Sequence, residues 1–310
     1  MGWIKKIISL FLVFCLLALL VLYWFIPQNS FRSLPNFNTT NFSVNSEPNN
    51  FSTSGSNSTM QFYPNMRYSE REISYNILNC PIDRKQEMLV ALDILDSRTI
   101  LDFIAVDSNP EIEISCEDKV VESESGLFIA GEGGPTNITL LKNYNLITKG
   151  KVLLLKTSKC STPDIALHEL LHALGFVHSE NPQNIMYPVN DCGQELSQDI
   201  IDTIDRIYSV ESLPDLSIEK ANAEMDNHYL DLNLSVKNIG LKSSDKFKVN
   251  IYINGNLKEE LDGDALDSGF GRTTMLTNIF ISAVSIREIK LEIIYNNPEL
   301  QKDNNIMILE

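Results

Sequence analysis

Four histidines occur in this chain of 310 residues, and three fall in one string, His168-Glu169-Leu170-Leu171-His172-Ala173-Leu174-Gly175-Phe176-Val177-His178. Residues four apart on a helix share a face, so His168 and His172 can present two imidazoles to one zinc ion. Glu169, the next residue round, is suited to take a proton from a water on the metal and pass it to a leaving amine. Gly175 permits a backbone turn that a side chain would resist, which brings His178 back as a third ligand. The fourth coordination position is then left for water, as a catalytic zinc requires.

The flanking sequence supplies the elements that must hold this string. Thr162-Pro163-Asp164 reads as an N-cap, a proline at the first helical position and an acid at the positive helix end, with Gly175 closing the helix. A further helix is expected over residues 197–209. Upstream, residues 73–78 are strand-like, and Pro81 starts a helix in which Met88, Leu92 and Leu95 recur at three and four. Residues 101–106, 112–116 and 152–155 are short strand candidates, the last continuously apolar. The order is mixed helix and strand, and the first globular unit runs from about Gln61 to Ser212.

The histidine string, completed by Asn184-Ile185-Met186-Tyr187-Pro188, resembles the metzincin metalloproteases of the matrixin branch, whose extended HExxHxxGxxH motif is followed by a methionine-containing turn. Ser179, directly after the third histidine, is also of the matrixin type. The resemblance implies an α+β catalytic domain, a mixed sheet plus three helices, at residues 65–212. It implies zinc ligation by His168, His172 and His178, Glu169 as the catalytic acid and base, and Gly175 as the structural turn. Met186 becomes the floor beneath the metal, with Met186, Tyr187 and Pro188 walling the pocket for the residue after the scissile bond. Asp199 and Asp202 on the closing helix are expected to anchor the methionine turn or the chain start.

Departures from the family pattern set further expectations. One zinc is expected, because this unit has no further histidines for a second. Residues 122–135 are rich in Glu and Gly but lack the family's calcium-loop pattern, which leaves calcium open. Residues 27–79 contain no cysteine, so no latency cysteine precedes the domain. Tyr187 follows Met186 immediately, so a tyrosine ligand of the astacin kind is not expected.

From about residue 213 to Glu310 the pattern changes. Leu230, Leu232, Leu234 and Val236 alternate with polar residues, and Val249, Ile251 and Ile253 run into Asn254-Gly255, which is hairpin chemistry. Ile289, Leu291 and Ile293 repeat the alternation. An antiparallel, Ig-like β-sandwich is expected, without a helix longer than a turn. Asp215-Leu216-Ser217-Ile218, Val236-Lys237-Asn238-Ile239-Gly240, Tyr252-Ile253-Asn254-Gly255 and Asn296-Asn297-Pro298-Glu299 are similar to the CARDB sandwiches of microbial surface proteins. That resemblance implies an accessory domain with a cell-surface partner. His228 there lies on a polar stretch and reads as solvated.

At the other end, residues 7–26 carry no charge and follow Lys5 and Lys6. At about 1.5 Å per residue that run spans a bilayer, and its exit through Tyr23, Trp24 and Phe25 reads as an uncleaved transmembrane anchor. Residues 1–26 are therefore expected to be a cytoplasmic stub and anchor, residues 27–64 a disordered Asn/Ser/Thr-rich linker, and residues 27–310 extracellular. Cys80, Cys116, Cys160 and Cys192 all lie on the outer side, where two disulfides in any of three pairings are expected. Twenty-five basic against 41 acidic residues leave a net charge of −16, which repels phosphate backbones and excludes nucleic acid as the partner.

The expected function is that of a membrane-anchored extracellular zinc endopeptidase acting on protein or peptide substrates, the substrate strand lying along an edge strand near residues 126–131. Two rivals stand beside it: a surface adhesion protein that binds through its sandwich, and a zinc hydrolase of non-peptide substrates. Degenerate enzymes usually lose the glutamate or a histidine, and here none is lost.

Overall fold

The computed structural model describes residues 60–122, 128–157, 159, 160, 162–282 and 285–309. All described residues belong to one compact unit, Asn57–Glu310. The expected anchor and most of the expected linker lie outside the described residues. Among the described residues no helix is long and apolar enough to cross a membrane.

The N-terminal half is built on a sheet of six strands: β1 (Met66–Tyr68), β2 (Glu72–Leu78), β3 (Asp102–Ala105), β4 (Ile112–Cys116), β7 (Gly131–Leu140) and β8 (Asn145–Leu154). β5 (Val121–Glu122) and β6 (Phe128–Ile129) form a separate ribbon. Helix α1 (Ile82–Arg98) connects β2 to β3, α2 (Asp164–Ala173) follows β8, and α3 (Gln198–Tyr208) closes this half. β3, β2, β4 and β8 run parallel in that order. Parallel strands are covered on both faces and read as apolar runs, which is why Ile112, Ile114, Val152 and Leu154 are fully buried.

β8 organises the sheet. One of its edges is shared by β4 at Gly150–Leu154 and by β1 at Asn145–Ile147, while β7 pairs antiparallel with the other edge along its whole length. β7 is therefore the outer strand beside the helix that carries the histidines. The edge strand expected near residues 126–131 lies instead at Gly131–Leu140; its glycines and Pro135 hide the alternation that would mark it in the sequence. β8 likewise begins at Asn145, seven residues before the apolar run that signals it.

The frame is tied by a buried arginine. Arg67, 1% exposed, donates through Nη1 to the carbonyls of Ile207 (2.6 Å) and Val210 (2.9 Å), and through Nη2 to that of Ser69 (2.7 Å). It thereby satisfies carbonyls left open at the end of α3, and its guanidinium lies 4.5 Å from the centre of the Tyr208 ring. Burial lowers the Arg67 pKa. Disulfides join Cys80 to Cys116 and Cys160 to Cys192.

In the C-terminal half, β9 (Leu216–Asp226), β10 (Tyr229–Asn238) and β13 (Gly271–Phe280) form one antiparallel sheet. β11 (Phe247–Ile253), β12 (Asn256–Gly263), β14 (Ile289–Ile294) and β15 (Ile306–Leu309) form the other. Leu230, Leu232, Leu234 and Val236 of the first sheet share a buried core with Val249, Ile251, Leu291 and Ile293 of the second, as the alternation requires. The expected sandwich is present, with a 3-10 turn at Asp303–Asn305 as its only helical element among the described residues. Ser69 Oγ donates to Leu241 O at 2.8 Å, which joins the two halves.

Candidate metal and catalytic centre

Helix α2 presents nine of its ten residues to the interior, so its position is set by burial over nearly all its surface. Its start differs from the sequence expectation. Pro163 is the N-cap, no side chain caps the helix, and Thr162 hydrogen-bonds the Asp164 carboxylate in place of a backbone N–H. The end is as expected: Gly175 has φ +95°, and a Cβ there would meet Met66 Sδ at 2.7 Å. The reversal lets His172 Nδ1 bond Phe176 O at 2.8 Å and carries the chain to His178.

The three imidazoles converge. Their ring centres lie 4.7 Å (His168–His172), 4.8 Å (His172–His178) and 5.2 Å (His168–His178) apart. One ligand atom from each falls within 4.8 Å of the other two. His168 Nδ1 is held by Ile185 O at 2.7 Å and His172 Nδ1 by Phe176 O, so both rings are oriented from behind with Nε2 left for the centre. His172 Nε2 and His178 Nε2 face each other at 3.1 Å.

This donor set fits a divalent cation such as zinc. Burial lowers the pKa of all three rings, taking His172 down to about 4 with help from the neighbouring His168. The rings are therefore neutral at pH 7, the form that ligates.

Glu169 is 7% exposed and lines the same cavity as the three histidines. Burial, with a smaller contribution from Glu132, pushes its carboxyl up to about 8. β7 packs directly on it: a Cβ at Gly131 would meet Glu169 Cγ at 2.6 Å, and one at Gly133 would meet the Glu169 carbonyl oxygen at 2.1 Å. The absence of side chains at these two positions is what lets an outer strand run past the carboxylate.

Met186 is fully buried in the N-terminal core. Its turn is closed by Ser179 N–H to Met186 O (2.8 Å), Tyr187 N–H to Asn184 O (2.9 Å) and Met186 N–H to Asn184 Oδ1 (2.8 Å). Tyr187 and Pro188 line the cavity, which has a volume of about 690 Å³. Asp199 reaches this turn only through Ser197, to which Asn184 Nδ2 donates at 2.7 Å. Asp202 accepts from Gln198 in its own helix, at neither expected anchor point. The chain start is held instead by Arg67 and by Arg206, which donates to Asn65 at 3.2 Å.

Residues 60–62, expected in the linker, also pack beside this centre. Val177 N–H donates to Met60 O and Phe62 N–H to Gly175 O, both at 2.9 Å, and Gln61 is buried. Met60 and Phe62 are apolar, but no motif in that stretch signals where it docks. Asp164, Asn190 and Gln194 also line the cavity and carry no motif signature, although Asp164 precedes His168 by one helical turn.

The disulfides select one of the three pairings left open by the sequence. Cys160–Cys192 ties the segment before α2 to the loop after Pro188, and Cys80–Cys116 ties the end of β2 to the end of β4.

Comparison with known proteins agrees with these two halves. Residues 67–209 match the family described as Matrixin, and residues 213–307 match the family described as CARDB. A crystal structure of the CARDB domain of the PF1109 protein from Pyrococcus furiosus, in complex with di-metal ions, is 21% identical, covering 31% of this chain and 84% of its own at a TM-score of 0.28. A solution NMR structure of the same domain is 20% identical, covering 31% and 92%, at a TM-score of 0.27. No curated protein matches this chain.

Proposed function

We propose, on the premise that residues 67–209 belong to the matrixin family and residues 213–307 to the CARDB family, that this protein is a zinc-dependent endopeptidase with a sandwich accessory domain. The observation that carries the proposal is the convergence of His168, His172 and His178 on one point in a cavity that the buried Glu169 also lines. Held by the three imidazoles, zinc would supply Lewis-acid chemistry, polarising a peptide carbonyl and acidifying water.

The remaining steps fall to the chain's own groups. Glu169 takes a proton from the attacking water and delivers it to the leaving amine; burial alone favours its protonated form, and the positive charge of an ion on the three imidazoles would favour the carboxylate this role needs. The outer edge of β7 offers backbone N–H and C=O groups to an extended substrate, which would add to the sheet as a further strand. Gly131 and Gly133 let that strand pass close to Glu169. Tyr187 and Pro188 wall the space beside the scissile bond.

In the same reading, residues 1–26 anchor the protein in the cell membrane, the stretch from residue 27 to about 59 holds the enzyme away from it, and the rest of the chain lies outside. Both disulfides support an oxidising compartment. The sandwich is assigned a cell-surface partner, and calcium is not assigned.

The test is zinc content together with cleavage of a mixed peptide library by residues 57–310, wild type beside Glu169→Ala. About one zinc per chain in both proteins is expected, with cleavage reduced roughly 10²- to 10⁴-fold in the variant. Full activity in Glu169→Ala would overturn the mechanism, and absence of zinc from the wild type would overturn the enzyme.

A further inference from the structure

The cavity that holds the three histidines contains a second acid on α2 with no part in the proposed proton transfer. Asp164 is 2% exposed and lines the cavity together with Ile185, Tyr187, Pro188, Asn190 and Gln194. Its Oδ1 is engaged by the Thr162 hydroxyl, but its Oδ2 is buried and has no hydrogen-bond partner. A buried carboxylate oxygen left unpaired is costly and is normally satisfied by a donor or a cation.

Position and charge point to the same occupant. Asp164 precedes His168 by four residues, so it lies on the same face of α2, about 6 Å toward the helix start. A side chain entering beside the histidines and long enough to descend one helical turn would meet it. The described residues lining the cavity include Glu132, Asp164 and Glu169 but no lysine or arginine.

The loop that shares the cavity lining with Asp164 is held in place. Gln194 Nε2 donates to Val189 O at 2.9 Å and to Pro182 O at 3.3 Å, and its Oε1 accepts from Asp191 N–H at 3.2 Å. The Cys160–Cys192 disulfide fastens the same loop, with a ligand atom of Asp164 within 4.8 Å of both sulfurs. The result is a cavity lined by an unpaired acid and by a loop fastened beside it.

We infer that Asp164 makes this cavity a receptor for a basic side chain, so that the enzyme cleaves peptides beside lysine or arginine. The inference rests on the peptidase reading for its substrate, and on Asp164 alone for its selectivity. Asp164 is a specificity determinant here and takes no part in bond breaking.

Two measurements on the zinc-loaded protein test it. In peptide libraries randomised on either side of the cleaved bond, the wild type should favour lysine or arginine at one adjoining position by at least about tenfold, the worth of one charge-assisted hydrogen bond. Asp164→Asn should lose that preference and retain cleavage beside apolar residues. Val189→Arg, which sets a competing cation on an exposed part of the same lining, should weaken the preference without altering Asp164, and it serves if Asp164→Asn fails to fold. The second measurement needs no turnover: butylguanidinium should raise the melting temperature of the wild type and not that of Asp164→Asn. Wild-type cleavage without basic preference, or a preference unchanged in the variants, overturns the inference while leaving the peptidase intact. Butylguanidinium stabilisation without any cleavage supports the receptor and overturns the peptidase reading, and absence of both overturns both.

Discussion

A Cβ built on Gly133 would lie 2.1 Å from the carbonyl oxygen of Glu169, closer than any real contact, so strand β7 and helix α2 touch backbone to backbone at Glu169. Gly133→Ala must push the strand away from the helix. A loss of about 1–3 kcal/mol in stability is expected, with a larger fractional loss of peptide cleavage, because the displaced strand is the one proposed to align the substrate. Gly134→Ala provides the control: its Cβ meets nothing within 4 Å, and its stability and activity should stay near those of the wild type. Thermal denaturation and cleavage rates of the two variants decide the matter.

Removal of metal should cost both activity and stability. A ligand present at about a hundred times its dissociation constant stabilises the folded state by roughly 2.7 kcal/mol, so chelation should lower the melting temperature and added zinc should restore it. His172→Ala removes a ligand whose ring is fixed from behind by Phe176 O. Added zinc should not restore that variant's melting temperature. An equal response in wild type and variant would place the ion elsewhere.

Asp215 gives the sandwich a dependence on pH. Burial raises its carboxyl to about 6, with a smaller push from Glu299 and opposing effects from Asn304 and Lys142. Its folded pKa lies above the unfolded value of about 3.9, so the folded state holds a proton that the unfolded state has released between about pH 4 and 6. Stability from this group therefore falls as pH rises through that window, by on the order of 2 kcal/mol, and stays low above it. Asp215→Asn should be more stable than the wild type at pH 7, with the gap closing below about pH 4. Melting temperatures of the two proteins across pH 3.5 to 7.5 test the sign, and a gap that widens in acid contradicts it.

The Cys80–Cys116 bridge spans 36 residues that include α1 and β3. Its removal by Cys80→Ser with Cys116→Ser should cost about 2–4 kcal/mol through the freed unfolded chain. Neither cysteine lines the cavity, so zinc content and cleavage per folded molecule should be unchanged at low temperature. Denaturant midpoints and metal analysis report the two quantities separately.

The string from His168 to Pro188 is legible because its chemistry requires particular residue types at particular spacings, and the structure brings those residues together. Helices α1 and α3 were legible for a related reason, since burial on one face imposes a period. What the sequence concealed depends on contacts made at a distance. The ten-residue strand β7 contains three glycines and a proline, so it shows no alternation, and Gly131 and Gly133 are explained only by the helix lying against them. Arg67 is charged, and only the carbonyls of residues 207 and 210, some 140 positions away, account for its burial. Asp164 resembles an ordinary acid at a helix start. Its unpaired oxygen becomes meaningful only when the rest of the cavity lining is in place.

The bonds that shape the candidate metal centre are short in chain distance: His172 to Phe176 spans four positions, His172 to His178 six and His168 to Ile185 seventeen. The arginine that ties the frame reaches across 140. Loops of about ten residues close within roughly 10–100 ns, whereas long-range strand pairing governs the slow part of folding. Refolding should therefore bring the three imidazoles together early, as a loop closing on its own helix, and dock β1 late. Metal present during refolding would then bind a partly folded chain, and zinc would accelerate the return of structure as well as reward its completion.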